Sequence, residues 1–179
     1  ACVFLELLGF SGAADPTRSV AEARAQVDAA VPPPEAFGRL RVSLAPHAPY
    51  SVSPALFGEI RRDLESHPGT VTTVHVAESP DESEFIEHGT GRWRALLDDL
   101  GAWNPAWSAP GVSPVAYLAQ LGFLDRRVLA VHGVQCSAHD LAQLKSLGAT
   151  LVSWRMHVLK RGEVIDRVAG HFGISGADR

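Results

Sequence analysis

Cysteine is scarce in this chain: Cys2 and Cys136 are its only two, far apart and outside any Cys-x-x-Cys spacing. That excludes a disulfide framework and a cysteine metal knuckle, and makes a reducing, cytoplasmic setting the expectation. Basic clusters are missing as well. With a net charge of −4, nothing in the sequence supplies the phosphate-neutralising surface that nucleic acid or an anionic membrane requires, so neither is an expected partner. Long apolar runs are also absent. The opening ACVFLELLGF has no positive lead-in and gives way to Ser-Gly-Ala-Ala-Asp-Pro, which argues against a signal peptide or membrane span and for a buried strand. The chain has no initiator Met and enters directly in that strand, so residues before it are expected to be missing.

What is present suits one globular domain: 179 residues, 46% hydrophobic and 20% charged, are enough for a real core and too mixed for disorder. Five short apolar runs stand out, CVFLELL (2–8), LRVSLA (40–45), TVTTVHV (70–76), RVLAVHGV (127–134) and ATLVSW (149–154). Each is nearly continuous in hydrophobicity, as parallel strands covered on both faces are. Ser53-Pro54, Ser79-Pro80 and Ser113-Pro114 each place a capping hydroxyl before a proline at the first helical position, where its missing N–H costs nothing. Ser19 with Glu22, Ser79 with Glu82 and Ser137 with Asp140 have capping-box spacing. Helix ends are marked by His67-Pro68-Gly69, His88-Gly89, Leu121-Gly122 and Leu147-Gly148. Strand–helix units repeated in this way predict an α/β fold.

The stretch from Gly89 to Pro110 breaks the rhythm with three tryptophans, glycines and prolines. Residues 92–100 are expected to form a short helix. The rest is either a functional, lid-like excursion or an apolar plug. VPPPE (31–35) reads as a stiff turn.

Three histidines occupy equivalent places. His47 in APHAPYSVSP, His75 in VHVAESP and His132 in AVHGVQCS each close an apolar run and precede a helix cap. In parallel α/β folds ligands gather at the carboxyl ends of strands, so these imidazoles should converge on one face. A single strand-end histidine is more often structural; three at one topological position point to a site. Glu78, just beyond His75, is placed to carry protons for a substrate held by a metal, or else is a helix-end surface carboxylate. His67, His88 and His139 fall at or within helices and are expected to be solvated, while His157 and His171 have no placement.

APHAPYSVS, HVAESPDESEF and VHGVQCSAHDLAQLKSLGATLVS, with the W-rich loop and SPVAYLAQLGFLD between them, resemble the amidohydrolase superfamily in its metal-dependent deaminase and chlorohydrolase branch. The resemblance covers residues 1–153 and implies a partial, incomplete (β/α)8 TIM-type barrel, from about the third to the seventh strand, followed by a divergent tail over 154–179. It implies that His75 is a metal ligand, and that Glu78 is the acid/base shuttling a water proton to a ring nitrogen. His132 would orient or polarise the bound water, and His47 would contact a small heterocyclic substrate. The implied cofactor is a divalent metal, zinc first and iron as the other candidate. The implied chemistry is hydrolytic deamination of a purine-, pyrimidine- or triazine-like ring. A chlorohydrolase or another carbon–nitrogen hydrolase stands as an alternative within the enzymes, and a non-catalytic remnant or interaction module outside them.

The resemblance also requires a first-strand His-x-His pair and an eighth-strand Asp. His47 is followed by Ala48-Pro49, and Asp178 comes too soon after the seventh strand. Past Ser153 the family's Cys-Pro-x-Ser-Asn turn gives way to WRMHVLKRGEVIDRVAGHFGISGADR, the mark of a truncated or frameshifted product or a fragment. Open strand edges are then expected to leave the chain unstable or paired with another copy, and the 179 residues alone are expected to have negligible activity.

Overall fold

The computed structural model describes residues 2–10, 15–30 and 41–153. The tail, with His157, His171 and Asp178, and the VPPPE turn lie outside the described residues. Strands and helices alternate in chain order, beginning with β1 (Cys2–Leu7), α1 (Pro16–Ala30), β2 (Arg41–Pro46), α2 (Pro54–Ser66) and β3 (Thr72–Val76). There follow α3 (Pro80–His88), α4 (Gly91–Asp99), α5 (Pro114–Gln120), β4 (Val128–His132), α6 (Ala138–Leu147) and β5 (Thr150–Val152). All five expected strands form, and every ladder between them is parallel.

The α/β class stands, and the sheet is incomplete, as expected. The strands make two sheets, β1–β2 and β3–β4–β5, and no closed barrel exists among the described residues. At the junction the ladder is reduced to a His75 N–H donated to the His47 carbonyl at 2.9 Å and a Thr72 hydroxyl donated to the Leu44 carbonyl at 2.8 Å. Coverage differs from the expectation. On β3, Thr72, Val74 and Val76 are buried while Thr73 and His75 are half-buried, and β1 exposes Val3. One face of β3 therefore packs on helices, and the other carries His75.

The helix ends follow local chemistry. Ser53, Ser79 and Ser113 accept hydrogen bonds from Leu56 N, Glu82 N and Ala116 N respectively, each before a proline. Ser137 and Asp140 complete a capping box despite the short Asp side chain. The Ser19–Glu22 spacing is misleading, since α1 starts earlier. Asp15 Oδ1 accepts from the amides of Thr17 and Arg18, and Pro16 opens the helix.

Two apolar clusters hold these elements. The larger, including Leu44, Phe57, Ile60, Val74, Leu118 and Phe123, fills the space between strands and helices, with Phe57 and Phe123 edge to face at 5.1 Å. The second joins Phe10, Tyr50, Phe85 and Tyr117 to Trp93, Trp103 and Trp107. The Trp-rich excursion is thus packed down as an apolar layer, as the plug reading expects: Phe85 stacks on Trp107 at 4.9 Å, and the Arg94 guanidinium sits 3.7 Å over Trp103. The expected helix appears as α4. No described helix is long and apolar enough to cross a membrane.

Candidate active site

Strand register brings the three histidines together. Leu7 pairs with Pro46, and the Leu7 carbonyl accepts the His47 amide at 3.0 Å, so His47 leaves β2 level with the end of β1. The His47 carbonyl in turn accepts the His75 amide, and Val76 pairs with His132 across β3 and β4. The rings form a row, with centroids 5.1 Å apart for His47 and His75 and 5.0 Å apart for His75 and His132. The expected convergence at the carboxyl ends is met by all three.

Each ring has its own partner. His47 Nδ1 lies 2.7 Å from the Ser51 hydroxyl, which itself donates to the Ala48 carbonyl at 3.3 Å. Ser51 therefore accepts from Nδ1–H, and the lone pair of His47 sits on Nε2. Burial, followed by the neighbouring His75, lowers the pKa of His47 despite the opposing charges of Glu6 and Glu78, and so favours the neutral ring. His75 Nε2 meets Glu6 Oε1 at 2.9 Å, while its Nδ1 is buried without a hydrogen-bond partner. His132 Nε2 stands 3.6 Å from Glu78 Oε1, close enough for charge to act and too long for a hydrogen bond.

The backbone is unusual where the site is built. Ala77 and His132 are the two non-glycine residues with positive φ among the described residues, at 52° and 76°. Such conformations cost about 1–3 kcal/mol and persist where surrounding structure enforces them, often at functional sites. Gly133 follows with φ 62°, and a Cβ there would lie 2.6 Å from Leu151 Cδ1. Glycine suits this position by its positive φ and by leaving room for the Leu151 side chain.

Four groups in the site were missed from sequence. Glu6 was hidden inside CVFLELL, where a lone charge within an apolar strand was the available signal. Tyr50 and Ser51 come three and four residues after His47; Tyr50 lies edge-on to His47 at 5.8 Å and stacks on Trp93 at 3.9 Å. Glu82 was read only as a capping residue. Its carboxylate also accepts from Ala77 N at 3.0 Å and Glu78 N at 2.8 Å, and burial pushes its pKa up to about 7. Burial, with Glu78, Glu82 and Glu6 adding their charges, pushes the Tyr50 hydroxyl up to about 12. His67 and His88 lie at helix ends, and neither they nor His139 belong to the histidine row.

Nitrogen and oxygen donors of Glu6, His47 and His75 all lie within 4.8 Å of one another. A parallel β/α scaffold presenting converged imidazoles and carboxylates at its strand ends is the framework of a ligand-binding α/β protein with its site at the strand carboxyl ends. The particular family is plain: the chain belongs to the Amidohydrolase family, whose model matches residues 4–169. It is 33% identical over 123 residues to the aminodeoxyfutalosine deaminase of Deinococcus radiodurans, covering 64% of this chain and 28% of that protein. It is 32% identical over 113 residues to a 5-methylthioadenosine/S-adenosylhomocysteine deaminase of Thermococcus onnurineus, covering 63% and 22%. The chain thus spans under a third of the length of these relatives. Among solved structures, Helicobacter pylori aminofutalosine deaminase aligns with a TM-score of 0.69 at 22% identity, over 86% of this chain and 37% of that one. A Xanthomonas campestris adenosine deaminase with bound zinc aligns with a TM-score of 0.57 at 21% identity, over 84% and 29%. These structural likenesses show the fold.

Proposed function

We propose that this chain supplies one flank of the active site of a metal-dependent (β/α)8 aminohydrolase that deaminates a purine-like nucleoside. The observation that carries the reading is the row of His47, His75 and His132 at the strand ends, with Glu6 on His75 and Glu78 beside His132. The named relatives, deaminases of aminodeoxyfutalosine and of methylthioadenosine and S-adenosylhomocysteine, favour a purine ring over a triazine or pyrimidine.

The residues fit a divalent cation. His75 and Glu6 offer nitrogen and oxygen donors suited to zinc, with iron as the other candidate. The carboxylates of Glu6, Glu78 and Glu82 all bear on Tyr50, so the surroundings are anionic. The donor atoms of Glu6, His47 and His75 lie within 4.8 Å of one another, a spacing that one ion can bridge. When bound, the cation lowers the pKa of a water toward neutrality.

The remaining steps belong to the chain. Glu78 takes one proton from the attacking water and delivers it to the ring nitrogen, then carries the second, from the newly added hydroxyl, to the departing amine. The carbon–oxygen bond forms, the carbon–nitrogen bond breaks, and ammonia leaves. His132, close to Glu78, orients the water. His47, its Nδ1 proton committed to Ser51, presents Nε2 to accept a hydrogen bond from the substrate. Tyr50 and Trp93 form an aromatic wall beside His47.

The test is ammonia release from 5′-methylthioadenosine, S-adenosylhomocysteine and aminodeoxyfutalosine, with zinc or iron supplied. The full-length protein carrying this sequence is expected to turn over at least one of them and to stop on chelation, while the 179 residues alone stay at background. Absence of ammonia from metal-loaded full-length protein with all three would overturn the reading.

A further inference from the structure

Glu82 is fully buried on α3, four residues past the proposed proton carrier, and a buried carboxylate is retained only where something fixes it. Its capping-box position brings it to the amide of Ser79, which is the weakest of three backbone contacts on the carboxylate, and the carboxylate reaches further. Oε1 accepts from Ala77 N and Oε2 from Glu78 N, so two successive amides of the β3–α3 turn are held by one side chain.

The turn they hold is the strained one. Ala77 has φ 52°, and its carbonyl is gripped from the other side by the Gln135 amide at 2.8 Å, while the Val76 carbonyl accepts Gly133 N at 3.0 Å. The segment is therefore clamped between the Glu82 carboxylate and the turn that follows His132. Its exit vector decides where the Glu78 side chain begins.

We infer that Glu82 is a positioning residue for Glu78, pinning the left-handed turn at Ala77 so that the Glu78 carboxylate is delivered beside His132. This rests on the proposed role of Glu78, but the placement is measurable without substrate. Glu82 touches none of the reacting atoms; it acts through the backbone. Glutamine keeps the volume and can accept only one of the two amides, its own NH2 facing the other donor.

The experiment uses the full-length protein carrying this sequence, selectively labelled at Glu and His, and compares it with Glu82→Gln. Two readouts are taken: hydrogen exchange of the Ala77 and Glu78 amides, and the nuclear Overhauser contact between the Glu78 side chain and the His132 ring. In E82Q one of the two amides should exchange at least about tenfold faster, and the Glu78–His132 contact should vanish while the Phe85–Trp107 contacts persist. A residue needed only for folding would not lose that one contact selectively. If E82Q fails to fold, the Ala77→Gly/Glu82→Gln pair relieves the positive φ without restoring the pin, and the contact should still be absent. A Glu78–His132 contact that persists in either folded variant, or is missing from the parent protein, would overturn the inference. Failure of the deaminase reading would show separately, as an absence of ammonia release with this contact intact.

Discussion

Glu78→Gln in the full-length protein should lower kcat for deamination by about 10²- to 10⁴-fold, the range typical of a lost general acid–base, and leave KM nearly unchanged. The amide matches the carboxylate in size, so the turn after β3 keeps its shape. It cannot take a proton from water or return one to the leaving amine. The neighbouring chemistry sharpens the expectation: Glu78 faces His132 at 3.6 Å, and the other nearby carboxylates have different attachments, Glu6 to His75 and Glu82 to the backbone. None is free to substitute. Steady-state kinetics of the purified variant, loaded with metal to the same content as the parent, checks this. A kcat within tenfold of the parent would mean that the proton is carried elsewhere.

Phe85→Ala is expected to cost about 3–5 kcal/mol of stability. Phe85 is fully buried on α3, stacked on Trp107 at 4.9 Å and edge-on to Phe10 at 5.6 Å. Truncation leaves a cavity between elements that come from three separate parts of the chain, and none of those rings has a ready way to refill it. The Trp-rich layer loses its seat, and α3, which follows Glu78 directly, loses its anchor. Urea denaturation should show the loss, with Leu100→Ala, at a site 69% exposed, staying within about 0.5 kcal/mol of the parent. A cost below about 1 kcal/mol at Phe85 would mean that the aromatic layer does not support the fold.

Much of this architecture was legible because it is written locally. Each strand was a short apolar run between helix signals, and the Ser-Pro caps fixed where three helices start. The three strand-end histidines then followed from topology, since parallel strands place their carboxyl ends on one side. Glu6 was not legible as a site residue, because its partner His75 is brought near only by tertiary packing of β1 and β2 against β3. Glu82 was legible only in part: the capping-box spacing accounts for its pairing with Ser79, whereas the bonds to Ala77 N and Glu78 N depend on the turn at Ala77. At α1 two competing caps were present, and Asp15-Pro16 prevailed over Ser19-Glu22 because proline at the first helical position comes already set for a helix. The break between the two sheets left no mark in the hydrophobic pattern, which reports burial of a strand's faces and is silent on which neighbours it pairs with.

The central claim is that His75, with Glu6 beside it, is a cation ligand in a deaminase site. Calorimetric zinc titration of the purified full-length protein, compared with His75→Ala, tests it most directly. The account predicts saturable binding, lost in His75→Ala and retained in the control His88→Ala at an exposed helix end. Undiminished zinc binding in His75→Ala, or none in the parent, would contradict it.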